Sequence, residues 1–316
     1  MTDNGLSCLD PNTIVAGIEK IVPKRHHIPF VWTKAVNFST GNQSYIPKQL
    51  IDMPYIQVDD EALLRISITT GAACGASQGD AIKRGFLELV ERDAFMLSWL
   101  TRSGLTKINK CLESISKSSL LFRSIHEVNR YNLKPNFFKM LAYGNLPAVV
   151  CVLRDDSGVG VPFSIGAKCS ETIKSAILGA LEEAIQLRHW LRTIDSVDKK
   201  EYSEPNTLRE RGLLTQKPEY QEKLNDWLKT SCSGEELSSC ELDKHHDVTF
   251  PADLFFVDLS YRMPEKVKDL QFSVVKCVVP SFQPLFLTET LSDLAWNRIL
   301  PRLGSNVLNP TPHPFL

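Results

Sequence analysis

The sequence predicts an α+β fold, a mixed sheet with helices built around an internal strand–turn–helix repeat. Three features of its 316 residues carry this reading. Apolar residues alternate in short runs, as half-buried strands require. Two long stretches, Asp80 to Thr101 and Glu171 to Arg192, place apolar residues at helical spacing. Strands and helices mix with both hairpin-like and parallel connections, which points away from an all-α or all-β architecture.

Residues 1–28 are polar and irregular, with a basic cluster at Lys24, Arg25, His26 and His27 that reads as solvated surface. Phe30 to Phe38 alternates like a strand, and Ser39-Thr40-Gly41-Asn42 reads as a turn. A strand at Leu64 to Thr69 is expected to lead into the Gly/Ala-rich stretch from Gly71 to Gly79 and then into the first long helix. A shorter helix is expected at Ser118 to Asn129. Strands follow at Asn136 to Ala142 and Ala148 to Arg154, joined through Gly144-Asn145, then at Pro162 to Ile165, before the second long helix. Residues 193–250 are charge-rich and read as a variable insertion or flap, with a short amphipathic helix at Tyr220 to Leu228. Strands return at Leu254 to Leu259 and Phe272 to Val279, and the chain ends in a proline-rich tail that reads as stiff and largely extended, with too little apolar surface to be core.

Hydrophobic residues make up 43% and charged residues 23%, which excludes a disordered chain. The net charge of −1 gives no electrostatic footprint for nucleic acid or for an acidic membrane. The longest apolar run, near Leu146 to Leu153, is of strand length. No targeting segment is visible in the first 25 residues. The eight cysteines, Cys8, Cys74, Cys111, Cys151, Cys169, Cys232, Cys240 and Cys277, are dispersed without a CxxC pair. They read as reduced thiols of a cytoplasmic protein. Cys232, Cys240, His245 and His246 form the densest group of soft ligands, but their spacing fits no zinc module.

Self-comparison reveals an internal repeat. Gly71, Ala72, Cys74, Ala81, Ile82 and Glu88 recur as Gly166, Ala167, Cys169, Ala176, Ile177 and Glu183, every pair 95 residues apart. Val90 matches Ile185, and Glu91 matches Gln186, at the same offset. At 100° per residue, Ile82, Phe86, Leu89, Met96, Leu97 and Leu100 share one face of the first helix. A second patch gathers Ala81, Gly85, Glu88, Arg92, Phe95 and Trp99, while Lys83, Arg84 and Ser98 face water. Glu88 and Arg92 at i,i+4 could be an ordinary surface ion pair, but that account does not cover the matching Glu183. Carboxylates on partly desolvated patches need a cation or a partner. Oxygen ligands of this kind suit Mg2+ together with phosphates.

Two other motifs compete. Gly75-Ala76-Ser77-Gln78-Gly79 fits the G-x-S-x-G nucleophile elbow of hydrolases. Against it, Gly71 to Cys74 stand where a buried strand should lead in, and the second copy carries no such elbow. Ser77 reads instead as a helix N-cap, with Asp80 three residues on. No Walker A loop and no helix-opening GxGxxG is present.

Ile68-Thr69-Thr70-Gly71-Ala72-Ala73-Cys74-Gly75, followed by Gly85-Phe86-Leu87-Glu88-Leu89-Val90-Glu91-Arg92-Asp93-Ala94, resembles the YcaO superfamily. The second repeat, through Glu182-Glu183-Ala184-Ile185-Gln186-Leu187-Arg188, is similar to that family's later ATP-site helix. Val279-Pro280-Ser281-Phe282-Gln283-Pro284 and the ending Asn309 to Leu316 resemble its C-terminal part, and the Pro310, Pro312, Pro314 pattern resembles the azoline-forming cyclodehydratases.

The resemblance implies an ATP- and Mg2+-dependent enzyme acting on a ribosomally made precursor peptide. A Cys, Ser or Thr side chain attacks the preceding carbonyl, the former amide oxygen is phosphorylated, and phosphate leaves to give an azoline. It implies that Glu88, Glu91 and Glu183 hold Mg2+. Thr69, Thr70, Arg92, Gln186 and Arg188 join them in binding the nucleotide, and Pro310, Pro312 and Pro314 serve catalysis. It further implies a leader-binding or E1-like partner protein, or a homodimer. The family's SxxxExxER element is expected before the region matched, and no copy is found there, which suggests an N-terminally incomplete domain or a separately encoded N-terminal half. Thioamidation, a methylthiotransferase accessory role, and a catalytically incomplete scaffold are the alternative activities.

Overall fold

The structure is a computed structural model, and it describes residues 8, 30–58, 61, 63–194, 205, 207–289, 294–304 and 307–315. The basic cluster at Lys24 to His27 lies outside them, as do Leu316 and the side chains of Cys111 and Cys240. The chain divides into two compact units. The first comprises 1–92, 249–286 and 290–298, and the second 93–248, 287–289 and 299–316.

The first unit carries a five-stranded sheet in the order β2-β1-β9-β10-β3. Its strands are β1 (Trp32–Asn37), β2 (Gln43–Pro47), β3 (Ala72–Gly75), β9 (Phe255–Asp258) and β10 (Ser273–Val278), and every pairing is antiparallel. Ala35, Ile46, Leu50, Leu64, Val257 and Val278 form its core. The expected strand at Leu64 to Thr69 is absent: those residues are irregular, and the strand begins after the Thr70-Gly71 turn. Lys276 on β10 holds this segment instead: its ammonium donates to the carbonyls of Ile68 (2.6 Å) and Thr70 (2.7 Å).

Helix α1 (Gln78–Thr101) starts in this unit and runs on into the second. Ser77 caps it as expected: its Oγ accepts from Asp80 N at 3.1 Å, and Asp80 Oδ2 accepts from Ala76 N at 3.3 Å. Phe86 packs on Phe250 and Phe282 within the first unit. Ser98, expected to face water, is 1% exposed, because the last three turns of α1 are buried on all sides.

The second unit holds β4 (Leu105–Lys107), β5 (Leu133–Met140), β6 (Ala148–Asp155), β7 (Phe163–Cys169) and β8 (Cys232–Glu236), in the order β7-β6-β5-β4-β8. Only the β4–β8 pairing is parallel. A short α2 (Asn109–Glu113) and α3 (Leu120–Arg130) precede β5, and α4 (Ile173–Thr193) follows β7. The apolar stripe of α4, Ile173, Ile177, Ala180 and Ala184, joins Phe137, Val149 and Leu153 in the core.

The charge-rich stretch 193–250 differs from the flap expected of it. Its helices α5 (Leu208–Thr215) and α6 (Pro218–Ser231) bury Arg211, Tyr220, Leu224 and Trp227 completely. Tyr220 stacks with Trp99 and with Phe163, and Trp227 packs against Trp99 at a tilt. Apart from Arg211, the charged residues of α5 and α6 are exposed or half-buried. The tail also differs from expectation: Pro312, His313, Pro314 and Phe315 are buried, and Phe315 packs on Phe95. A short α7 (Glu265–Lys268) and α8 (Trp296–Leu303) complete the described helices.

The repeat seen in the sequence is also a repeat of geometry. In the first copy, a Cβ added to Gly85 would meet the Gly71 carbonyl oxygen at 2.6 Å. In the second, a Cβ on Gly166 would meet the Ala180 oxygen and the Ala184 nitrogen at 2.3 Å. Ala180 is 95 residues beyond Gly85, as Gly166 is beyond Gly71. Each copy therefore presses strand against helix at the same place, and glycine is what allows the approach. Replacing Gly166 by Ala should destabilise the protein by about 1–3 kcal/mol in denaturant unfolding. Gly79→Ala, which would meet nothing closer than 4.0 Å, should leave stability near that of the wild type.

Candidate functional site

In the first unit, a small open cleft lies against α1, β10 and the segment that follows β10. Three cationic side chains line it: Arg65, Arg92 and Lys276. Thr70, Phe282 and Gln283 contribute to the same wall. Arg92 and Thr70 were expected on the sequence, and Arg65 and Lys276 were not. Lys276 had a legible signal, as the single charge in the otherwise apolar strand from Phe272 to Val279. Arg65 had none, because it sits on irregular chain.

Lys276 is 3% exposed, and burial lowers its pKa to about 8. The positive charge of Arg65 lowers it further, and the carboxylate of Glu88 opposes the shift. Glu88 Oε2 accepts from Gly71 N at 3.2 Å, so its carboxylate lies against the turn that enters β3. Glu91 is 2% exposed and pairs with Arg92 at 3.3 Å. A buried carboxylate is tolerated only with such a counter-charge. Thr69 is exposed at the turn, while Thr70 is buried and holds Lys276 through its carbonyl. The neighbouring Cys277 is buried, which pushes its thiol up to about 12 and keeps it a neutral packing residue.

The second copy is described within its own unit. Glu183 Oε2 accepts from Ala167 N at 2.6 Å, one residue on from the position that matches Gly71. Each repeated acid thus caps an amide of its own strand, with its outer side partly exposed. Gln186 is exposed. Arg188 donates to Asp155 and to the Val161 carbonyl, both at 2.6 Å, and so holds the β6–β7 hairpin. Pro310 is exposed, whereas Pro312 and Pro314 are buried.

Among the described residues, no three His, Cys, Asp or Glu side chains gather into a metal-binding group. Three cations line the cleft, and α1 carries two acids, Glu88 and Glu91, next in sequence to the lining residues Leu89 and Arg92. That fits Mg2+ bound with phosphate, since Mg2+ keeps several waters and takes one or two carboxylates plus phosphate oxygens.

Comparison with known proteins agrees with this reading of the fold. A family model described as a YcaO cyclodehydratase that binds ATP and Mg2+ matches residues 5–283. The chain belongs to the YcaO family, whose cofactors are ATP and Mg2+. A solved heterocyclase in complex with substrate and cofactor matches with a TM-score of 0.68 at 18% identity, over 98% of this chain and 44% of that one. The heterocyclase TruD matches at 0.63 and 19%, over 98% and 46%. This chain therefore spans less than half the length of either. The E. coli microcin synthetase McbBCD complex with pro-MccB17 bound matches at 0.66 and 17%, over 96% and 77%. YcaO from Methanopyrus kandleri, bound with AMPPCP and Mg2+, matches at 0.62 and 19%, over 93% and 73%. At these identities the likeness is one of fold. No curated protein matches the sequence. Among the described residues no helix is long and apolar enough to cross a membrane.

The buried Lys276 sets a testable pH dependence. Between pH about 8 and its unfolded value near 10.4, the native ammonium has released a proton that the unfolded chain still holds. Stability should therefore rise with pH across that window, by on the order of 3 kcal/mol. The check is the difference between wild type and Lys276→Met in denaturant unfolding at several pH values. That rise should be missing from the variant, whatever the constant offset left by the two carbonyls that lose their donor.

Proposed function

We propose that this chain is the ATP-using component of a peptide cyclodehydratase, converting Cys, Ser or Thr residues of a ribosomally made peptide to azolines. The observation that carries the reading is the convergence of Arg65, Arg92 and Lys276 on one cleft beside Glu88 and Glu91. Three cations beside two acids match the charge pattern of a magnesium-bound polyphosphate. ATP supplies the phosphoryl group that turns a peptide oxygen into a leaving group.

The residues of this chain then have distinct tasks. Glu88 and Glu91 hold Mg2+, each kept in place by a neighbour: the Gly71 amide for Glu88 and the Arg92 guanidinium for Glu91. Lys276, Arg65 and Arg92 neutralise phosphate oxygens. Glu183 and Gln186 are the nucleotide contacts of the second repeat, and Glu183 is its metal ligand. Arg188 acts at one remove, by fixing the hairpin that precedes α4. Because Pro312 and Pro314 are buried, the tail prolines act by setting the backbone course of the chain end rather than by touching the peptide.

Glu88-Leu89-Val90-Glu91-Arg92 itself has the ExxER spacing, with Arg84 at the position of the motif's serine. On this reading the element expected upstream is α1, altered at one position. Arg84 is exposed and paired with Asp80 at 3.2 Å. That substitution is the one specific observation favouring the second reading, a YcaO-like scaffold without turnover. Partner proteins and a precursor peptide belong to both readings.

Calorimetric titration with Mg-ATP separates the two. The full chain should bind, and Glu91→Gln and Lys276→Met should each weaken binding about 10- to 100-fold, the range for a lost charge-assisted hydrogen bond. Affinity in the wild type should also fall as pH rises through about 8, where Lys276 loses its charge, and should stay level in Lys276→Arg. With peptide and partners present, Glu88→Gln or Glu91→Gln should lower ATP turnover roughly 10²-fold. Absence of Mg-ATP binding by the wild type would favour the scaffold.

A further inference from the structure

The C-terminal tail is held in an unusual way. Proline has no amide hydrogen, so Pro310, Pro312 and Pro314 can offer only carbonyls, and the segment cannot pair as a regular strand. Three consecutive carbonyls, those of Thr311, Pro312 and His313, each meet a side-chain donor from a different helix. Trp99 of α1 donates its indole N–H to the Thr311 oxygen at 2.8 Å. Tyr220 of α6 donates its hydroxyl to the Pro312 oxygen. Arg211 of α5 donates to the His313 oxygen at 2.8 Å. Upstream, Asn309 is tied in both directions: its amide nitrogen donates to Leu100 O at 2.8 Å, and its side chain donates to Trp99 O at 3.2 Å.

Arg211 does more than hold the tail. Its other terminal nitrogen donates to the Leu287 carbonyl at 2.6 Å and to Glu289 at 2.8 Å. A single fully buried guanidinium therefore fixes the tail and the 287–289 segment together. That segment follows, three residues on, from the cleft-lining Gln283 and Pro284. The planar fork of Arg suits this task, because one group must serve two backbone segments and a carboxylate in fixed directions.

We infer that Trp99, Tyr220 and Arg211 are the positioning residues of the tail: a clamp on successive carbonyls sets where the chain end lies. None of the three is among the residues assigned to nucleotide or metal. The functional consequence rests on the proposed role of the tail in peptide modification.

Two conservative variants test the clamp. Tyr220→Phe keeps the stacking on Trp99 and Phe163 and removes only the hydroxyl. Arg211→Lys keeps the charge facing Glu289 and removes the fork. Native full-length protein is digested with a carboxypeptidase, and release of Phe315 is followed by intact mass. Each variant should release it about tenfold faster than wild type, the fold-change for one hydrogen bond of about 1.4 kcal/mol. Mg-ATP affinity should be unchanged. Loss of one water from a synthetic Cys/Ser/Thr-rich peptide, in the presence of the partner proteins, should slow with no change in KM for ATP. A general loosening of the fold would lower nucleotide affinity as well.

Equal release rates in wild type and Tyr220→Phe would overturn the clamp, and Tyr220→Phe decides this even if Arg211→Lys does not fold. Faster release with undiminished peptide dehydration would overturn the positioning role. A wild-type chain that modifies no peptide would strike down the proposed function, while the release rates would still decide the clamp.

Discussion

Everything at the candidate site depends on how closely a strand can approach the helix that follows it. In the first repeat Gly71 takes a φ of +86°, and a Cβ there would lie 2.5 Å from the Cys277 oxygen. Gly85 on α1 faces the Gly71 carbonyl at a similarly short distance. With both side chains absent, the turn entering β3 lies against the helix, and Glu88, three residues on, reaches the Gly71 amide. The second repeat solves the same problem with Gly166 against Ala180 and brings Glu183 to the Ala167 amide. The acid is thereby held at the entrance to or within its own strand, which satisfies part of its hydrogen-bonding capacity.

The electrostatics of the first unit follow from this placement. Glu91 is buried and paired with Arg92, and Lys276 is buried under two carbonyls, with its pKa brought down to about 8. Neither arrangement is a strong source of stability, since desolvating the charges offsets much of their attraction. A protein that keeps charges of both signs around one cleft gains a binding capability more than a stable core.

The repeat and the acids were legible in the sequence, because a fixed offset of 95 residues and a helical period are one-dimensional signals. The cap at Ser77, the two long helices and the hairpin of β5 and β6 were legible for the same reason. What escaped was set by contacts distant in sequence. Where a strand was expected at Leu64 to Thr69 the chain is irregular, and it is held by Lys276, 208 residues away, which donates to the Ile68 carbonyl. Residues 193–250 looked like a solvated insertion because charges outnumber apolar residues there. Yet Arg211, Tyr220 and Trp227 suffice to anchor α5 and α6 around Trp99. The tail looked like a free, stiff end because its prolines lack donors, and the donors that hold it lie on three other helices.

The central claim is that the cleft formed by α1, β10 and the chain after β10 receives the phosphates of Mg-ATP. Hydrogen-exchange mass spectrometry of the full chain, with and without Mg2+ and a non-hydrolysable ATP analogue, tests it most directly. The account predicts slower exchange in peptides covering residues 65–92 and 276–284. Protection confined to other parts of the chain, with these peptides unchanged at saturating analogue, would contradict it.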